Sequence, residues 1–344
     1  MNTRRAIVKS AVGATALAVA GSLHPTFAQS KAPDLRLART AWIYDEAYLT
    51  PVFGSKHPEQ PARVAGIAQA IRSSALHARL ALLKPQATPG AVVDDAIALI
   101  HTSAHVASLK ARYDADVVRL ARLAVGGTLA AVDAVMSDRV QNAFVCSRPP
   151  GHHARNTGRE EGFCFYNHVS IAARYAQRRH GVRRVLIVDW DYHHGDGTEH
   201  FFYDDASVLV FNTYDPSAYP RVGDPARRGQ GAGEGYNINV PLDCSTGDDD
   251  IQRAFMQALV PAADRFKPDL ILISCGFDSR VNDLLGCFQI SDQGFVALTK
   301  IVMDLAHRHA QGRIVSILEG GYNLAGIASA SLAHVQTLLD YRST

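Results

Sequence analysis

Six short apolar runs are spread along this chain, residues 40–44, 143–147, 185–189, 208–212, 270–274 and 314–318, and none alternates with polar residues. Each has the length and partly β-branched content of a strand. A strand that is apolar on nearly every residue has to be covered on both faces, as in a parallel sheet. Between the runs lie stretches whose apolar residues recur at helical spacing: 63–73, 118–136, 167–179, 249–266 and 291–309. In 118–136 the Gly126-Gly127 pair is a tolerable interruption. Strand–helix alternation of this kind predicts an α/β fold, one parallel β-sheet with helices on both faces. No repeat, low-complexity tract or linker divides the chain after residue 35, so residues 29–344 are expected to form a single domain.

The 344 residues are 47% apolar and 20% charged, enough to build a substantial core. Net charge is +2 with both signs interspersed, which excludes the basic surface of a direct nucleic-acid binder. The five cysteines, at 146, 164, 244, 275 and 287, are odd in number and lack paired spacing. Cys146, Cys164 and Cys275 sit in apolar runs or beside reactive motifs, so buried thiols are expected rather than a disulfide framework.

Residues 1–28 read differently. Arg4 and Arg5 precede a mild apolar stretch, 11–23, and Thr26-Phe27-Ala28 ends in the small residue a signal peptidase prefers. That order describes a cleavable signal peptide, and the paired arginines resemble a twin-arginine signal. The apolar stretch is too short for the roughly 20 residues of a membrane span. A periplasmic or secreted mature chain, without stable membrane insertion, is the expectation. Export in the folded state would let a metal bind beforehand.

Four of the strands run straight into reactive residues. After 143–147 comes Arg148-Pro149-Pro150-Gly151-His152-His153, and 185–189 continues through Asp191, His193, His194 and Asp196. The 270–274 run leads into Cys275-Gly276-Phe277-Asp278, and 314–318 into Glu319-Gly320-Gly321-Tyr322. In a parallel sheet these ends share the carboxyl edge, where open α/β folds bind ligands. Asp189, Asp191 and His193 alternate along one extended segment and so face one way. Asp191 and His193 can reach one metal ion, and Asp278 can supply a third ligand. Two oxygens and one nitrogen with positions left open describe a catalytic zinc site. His152 and His153 offer a general base and a general acid, with Asp189 and Asp196 as carboxylate partners that orient the rings. Tyr322 can donate a hydrogen bond to a developing oxyanion.

The other histidines read as structural. His194 should point away from His193, and the i, i+4 pair His101 and His105 lacks the acid of a helical zinc motif. His307 and His309 read as solvated. The longest irregular region, 214–235, is expected to form a rim of the site.

With these residues in place, the chain resembles the histone deacetylase family, in its class II and bacterial amidohydrolase branch, with acetylpolyamine amidohydrolases as relatives. The resemblance rests on R-P-P-G-H-H-A at 148–154, G-F-C-F-Y-N at 162–167 and D-x-D-x-H-H-G-D-G at 189–197. It continues in G-E-G-Y-N-I-N-V-P-L at 233–242, G-F-D at 276–278, E-G-G-Y at 319–322, and His57-Pro58-Glu59 with Arg63. It implies the arginase–deacetylase fold and hydrolysis of an acetylated amine, from a peptide or small molecule, to acetate and free amine. It also implies one zinc on Asp191, His193 and Asp278, with proton transfer by His152 and His153 and carbonyl polarisation by Tyr322. Phe163 and Tyr219 would wall a narrow channel and Leu285 would line its mouth, with Asn282 and Asp283 facing the turn or solvent. A potassium ion held by carbonyls around 189–193 belongs to the same implication. So does an aspartate that grips substrate backbone, for which Asp114 and Asp116 are candidates. One departure is Asp283-Leu284-Leu285-Gly286, where the family's D-P-L-G has proline.

Two rival readings are weaker. Ureohydrolases of the same fold hold two manganese ions through D-x-H-x-D and a further acid, but those positions here are Gly195 and Arg280. A non-catalytic binder of acetylated amines is the other, and the chain keeps the tyrosine and both histidines that such a protein could lose.

Overall fold

The computed structural model describes residues 39–86 and 90–342. The expected signal peptide lies outside them. Eight strands are present among the described residues: β1 (Thr40–Ile43), β2 (Ala81–Leu83), β3 (Asn142–Val145), β4 (Val185–Asp189), β5 (Val208–Tyr214), β6 (Asn237–Pro241), β7 (Leu270–Cys275) and β8 (Ile314–Leu318). The helices are α1 (Ala62–Arg72), α2 (Ala91–Ile97), α3 (Ser103–Arg112), α4 (Ala115–Met136), α5 (His168–His180), α6 (Asp196–Phe202), α7 (Asp248–Ala254), α8 (Val260–Phe266), α9 (Asp292–His309) and α10 (Leu324–Asp340). A π-helical turn, Phe255–Leu259, joins α7 to α8, and α4 runs through Gly126 and Gly127 without a break.

All the strands form one parallel sheet in the order β2-β1-β3-β8-β7-β4-β5-β6. The unbroken apolar runs are explained by its two covered faces. On β4, Leu186 and Val188 join a core with α1, α9 and α10, while Val185 and Ile187 join one with α4 and α5. Burying each such side chain stabilises the fold by roughly 1.5–3 kcal/mol.

The strand order places the chemistry. The four strands that end in reactive motifs, β3, β8, β7 and β4, are consecutive neighbours in the middle of the sheet. Their carboxyl ends therefore open side by side on one edge. Asparagine and serine caps start the helices that leave this edge: the Asn167 side chain accepts from Ser170 N, Ser291 from Gly294 N and Asn323 from Gly326 N. Each such cap is worth about 1 kcal/mol.

The structure departs from the sequence reading in three places. β2 and β6 are additional edge strands, and in β6 the buried residues Asn237 and Asn239 are polar, both donating to Glu199 at 2.9 and 2.7 Å. Cys244 and Cys287 are paired in a disulfide 43 residues apart, whereas Cys146, Cys164 and Cys275 are buried free thiols as expected. His309 is not a free surface group, because its Nε2 lies 2.6 Å from Asp264 Oδ1; His307 is exposed. No helix of the described residues is long and apolar enough to cross a membrane.

Candidate active site

At the β4 and β7 ends, Asp191, His193 and Asp278 bring one donor atom each within 4.8 Å of one another. His193 Nδ1 faces both carboxylates, 3.1 Å from Asp191 Oδ1 and 3.0 Å from Asp278 Oδ2. Both carboxylates are fully buried, and main-chain donors aim them: Gly320 N to Asp191 Oδ2 at 2.8 Å, and Tyr192 N to Asp278 Oδ1 at 2.9 Å. Gly320 has to be glycine, since a Cβ there would stand 2.0 Å from Asp278 Oδ2 and 2.7 Å from Asp191 Oδ2. Burial, with Asp191 beside it, pushes the Asp278 carboxyl above the usual carboxylate range. Two acids forced together out of water are costly unless a cation lies between them. Two oxygens and an imidazole nitrogen suit a zinc ion with open positions, so these residues fit the expected metal.

His152 and His153 leave the end of β3 beside this cluster. His152 Nδ1 is 2.9 Å from Asp189 Oδ2, and His153 Nδ1 is 2.8 Å from Asp196 Oδ1. These bonds leave Nε2 of each ring toward the site, with His152 Nε2 at 3.7 Å from Asp191 Oδ1. Asp189 serves twice, its other oxygen accepting Asp191 N at 3.1 Å. Tyr322 is buried at the β8 end, beneath the Arg63 guanidinium at 4.8 Å from the ring centroid. Phe163, at φ +68°, packs edge-on against Tyr322 at 5.9 Å, and Tyr219 packs edge-on against His153 at 4.9 Å. Leu285 is 40% exposed. Half-buried Asp283 faces the turn, accepting Leu285 N, and also accepts Tyr322 N, while Asn282 is exposed. His194 turns away as expected, bonding Asn239 at 2.9 Å.

The 214–235 loop brings Tyr219 against His153 and, with Arg155, Asp196 and Glu199, lines a cavity of about 830 Å³. Asp114 and Asp116 are exposed, and Asp116 pairs with Arg119 at 3.1 Å. Arg280, where a two-metal site needs an acid, is bonded to Asp292 at 2.7 Å, which removes the ureohydrolase reading.

Several supporting residues went unassigned in the sequence reading. Glu319 is buried and accepts Gly151 N at 2.6 Å and His152 N at 3.2 Å, tying β8 to the histidine loop; burial pushes it up to about 7. Glu59 forms a buried bidentate pair with Arg148, at 2.7 and 2.6 Å, and reaches Arg63 at 3.2 Å. Arg63 in turn holds Gly321 O at 2.7 Å and also donates to Glu319 O. His101 and His105 are buried clamps: His101 Nε2 accepts Asn167 N at 2.9 Å, while His105 contacts Phe165 O at 2.9 Å and accepts Gly158 N at 3.0 Å. They brace both ends of the loop that carries Phe163. The only signal for these roles was proximity to the motifs.

The histone deacetylase domain model matches residues 57–338. Histone deacetylase 6 of Caenorhabditis elegans is 37% identical over 310 residues, covering 82% of this chain and 32% of that protein. A histone deacetylase-like amidohydrolase of Pseudomonas aeruginosa is 33% identical over 336 residues, covering 89% of this chain and 87% of that protein. The solved HDA15 HD domain superimposes with a TM-score of 0.81 at 33% identity and covers 90% of each chain. With its parallel sheet and its strand-end chemistry, the chain belongs to the histone deacetylase family of hydrolytic deacetylases.

Proposed function

We propose that this chain is a zinc-dependent deacetylase that cleaves an acetyl-lysine-like or small acetyl-amide substrate. The observation that carries the reading is the convergence of His193 Nδ1 on Asp191 and Asp278, with two carboxylate-oriented histidines alongside. Asp191, His193 and Asp278 would hold the zinc, which would supply a Lewis acid for the amide carbonyl and lower the pKa of water. Neutral His153, its Nδ1–H donated to Asp196, takes the proton of the attacking water at Nε2. The Tyr322 hydroxyl donates to the oxyanion as the carbonyl becomes tetrahedral. An imidazolium then protonates the leaving nitrogen, the C–N bond breaks, and water has been added across the amide to give acetate and amine. Phe163 and Tyr219 flank the alkyl chain and keep water from its sides.

Leu285 supports a preference among amides. It places an apolar group at the mouth, where an acid would add an ion pair to a second ammonium, worth about 0.5–1 kcal/mol if exposed. An acetyl-lysine amide is therefore the better substrate over acetylspermidine, and Leu285→Glu narrows the gap. The potassium site at 189–193 is part of the same reading and rests on the resemblance. Export through a leader at residues 1–28 is supported by its charged, apolar and small-residue order and by the disulfide, which suits an oxidising compartment.

The deciding experiment is turnover of an acetyl-lysine amide and of acetylspermidine by purified, zinc-loaded protein. No acetate from either substrate at full zinc occupancy would end the deacetylase reading. For export, normal processing of a variant carrying Arg4→Lys and Arg5→Lys would exclude the twin-arginine route.

A further inference from the structure

We infer that Asp283 is a positioning residue that sets Tyr322 and the channel-mouth Leu285 in one frame; the inference rests on the function proposed above. One half-buried carboxylate accepts three main-chain N–H groups. Its Oδ2 takes Tyr322 N at 2.7 Å and Asn323 N at 2.9 Å, and its Oδ1 takes Leu285 N at 2.9 Å. The first two donors immediately precede α10, Asn323 being its N-cap, and a negative charge is favoured at a helix N-terminus. The third closes a tight side-chain turn over Leu284, a residue with no ring to fix its own φ.

The surrounding contacts make this a joint between two loops. Asn323 donates its Nδ2 to Asn282 O at 2.8 Å, and Asn282 holds a left-handed φ of +65° that turns the chain there. At the other end of the turn, Gly286 lies so close to Asp278 that a Cβ would stand 1.9 Å from the Asp278 carbonyl oxygen. The segment leaving Asp278 thus loops out to form the mouth, bonds to the backbone of Tyr322, and folds back on Asp278. Arg63 and Phe163 contact the ring of Tyr322, but Asp283 fixes where its main chain begins. Charge-assisted bonds of this type are roughly twice as strong as neutral ones, and an ångström of misplacement at a reacting group costs on the order of 10²-fold in rate. Asp283 touches no reacting atom. It acts through the two residues that do face the substrate, so its loss is felt in kcat through Tyr322 and in KM through Leu285.

The test uses the full zinc-loaded chain as wild type, Asp283→Ala, Asp283→Asn, Tyr322→Phe and the double variant of Asp283→Ala with Tyr322→Phe. Kinetics on an acetyl-lysine amide are read with zinc content and with hydrogen exchange at the amides of residues 285, 322 and 323. Asp283→Ala should keep its zinc, lose kcat by on the order of 10²-fold and raise KM. Asp283→Asn keeps one acceptor oxygen and turns an NH2 that cannot accept to the other side. It should therefore recover part of the loss, in kcat or in KM according to which tether keeps the oxygen. In the Tyr322→Phe background Asp283→Ala should lower kcat by less than about threefold more, because the residue it positions has already lost its hydroxyl. The three amides should exchange faster together in Asp283→Ala and keep wild-type rates in Tyr322→Phe. A full multiplicative loss of kcat in the double variant, or unaltered exchange at the three amides, overturns the inference. If Asp283→Ala does not fold, Asp283→Asn alone and with Tyr322→Phe makes the same comparison. A wild type that holds zinc but releases no acetate counts against the proposed function, while the exchange rates still decide the tether.

Discussion

The imidazoles of His152 and His153 lie 4.0 Å apart between ring centroids, and their surroundings drive them toward opposite protonation states. Burial opposes a charge on His152, but Asp191 and Asp189 outweigh it and raise its pKa well above the ordinary value. Burial and the neighbouring His152 lower His153 to about 3. Adjacent groups pushed apart in this way identify an acid and a base. His153 is the neutral partner able to accept a proton, and the acid limb of kcat should report its protonation. His153→Ala should lower kcat by roughly 10²–10⁴-fold. Asp189→Asn removes one of the charges that hold the His152 proton, so the alkaline fall in kcat should move to lower pH. An alkaline limb that stays in place would mean that it reports another group.

The metal cluster makes a sharper distinction between histidines. His193→Ala and Asp278→Ala each remove one of three ligands and should leave the protein without zinc and without turnover. His101→Ala should keep stoichiometric zinc, since His101 bonds the main chain of Asn167 and the side chain of Asn156. Metal analysis of the three purified variants checks both halves. Full zinc in His193→Ala would remove that residue from the ligand set.

How much of the fold and site is legible in the sequence depends on how local each signal is. β4 and β8 are bounded as the apolar runs predict, because both faces of a central strand are covered and the whole run is apolar. β6 escaped for the converse reason: it is an edge strand whose buried positions are Asn237 and Asn239, so no apolar run marks it. The donors Asp191, His193 and Asp278 could be named because each follows a strand directly, and consecutive places in the sheet bring them together. Asp283, Glu59 and Glu319 act through main-chain or charged partners that are distant in sequence, for example the 168 residues between Glu319 and Gly151. No periodicity or spacing reports such a partner. The pairing of Cys244 with Cys287 is of the same kind, since neither position carries a local sign of the other.

That disulfide should be measurable in stability. It closes a loop spanning 43 positions between the end of β6 and the segment that carries Leu285. Chain-entropy arguments put the stabilisation from such a closure at about 4 kcal/mol, with typical measured values of about 2–4 kcal/mol. Cys244→Ser should therefore lower the unfolding free energy by about 2–4 kcal/mol under non-reducing conditions. Adding a dithiol reductant should bring wild type close to the variant and leave the variant unchanged. Equal denaturant midpoints for the two proteins without reductant would show that the bond contributes nothing to the fold.

A last expectation concerns acid stability and a histidine far from the metal cluster. His334 on α10 is fully buried, with Nδ1 2.7 Å from Thr299 Oγ1 on α9 and Nε2 2.9 Å from Ser316 Oγ on β8. Burial lowers it to about 3. In the unfolded chain the same side chain titrates near 6.5. Between those two values the unfolded state binds a proton that the folded state refuses, so stability is intact above 6.5 and declines as pH falls toward 3. Below about 3 both states are protonated and this contribution stops changing. Within the window one such group costs about 1.4 kcal/mol per pH unit. His168, also buried and also held at about 3, steepens the same decline. His334→Gln removes one of these titrations while keeping a side chain able to bond Thr299 and Ser316. Its plot of unfolding free energy against pH, taken between about pH 6 and 4, should therefore be shallower than wild type by about 1.4 kcal/mol per unit, whatever its absolute stability. Parallel plots would mean that His334 gains its proton within the folded protein, and that the contact joining α9, α10 and β8 tolerates a charge.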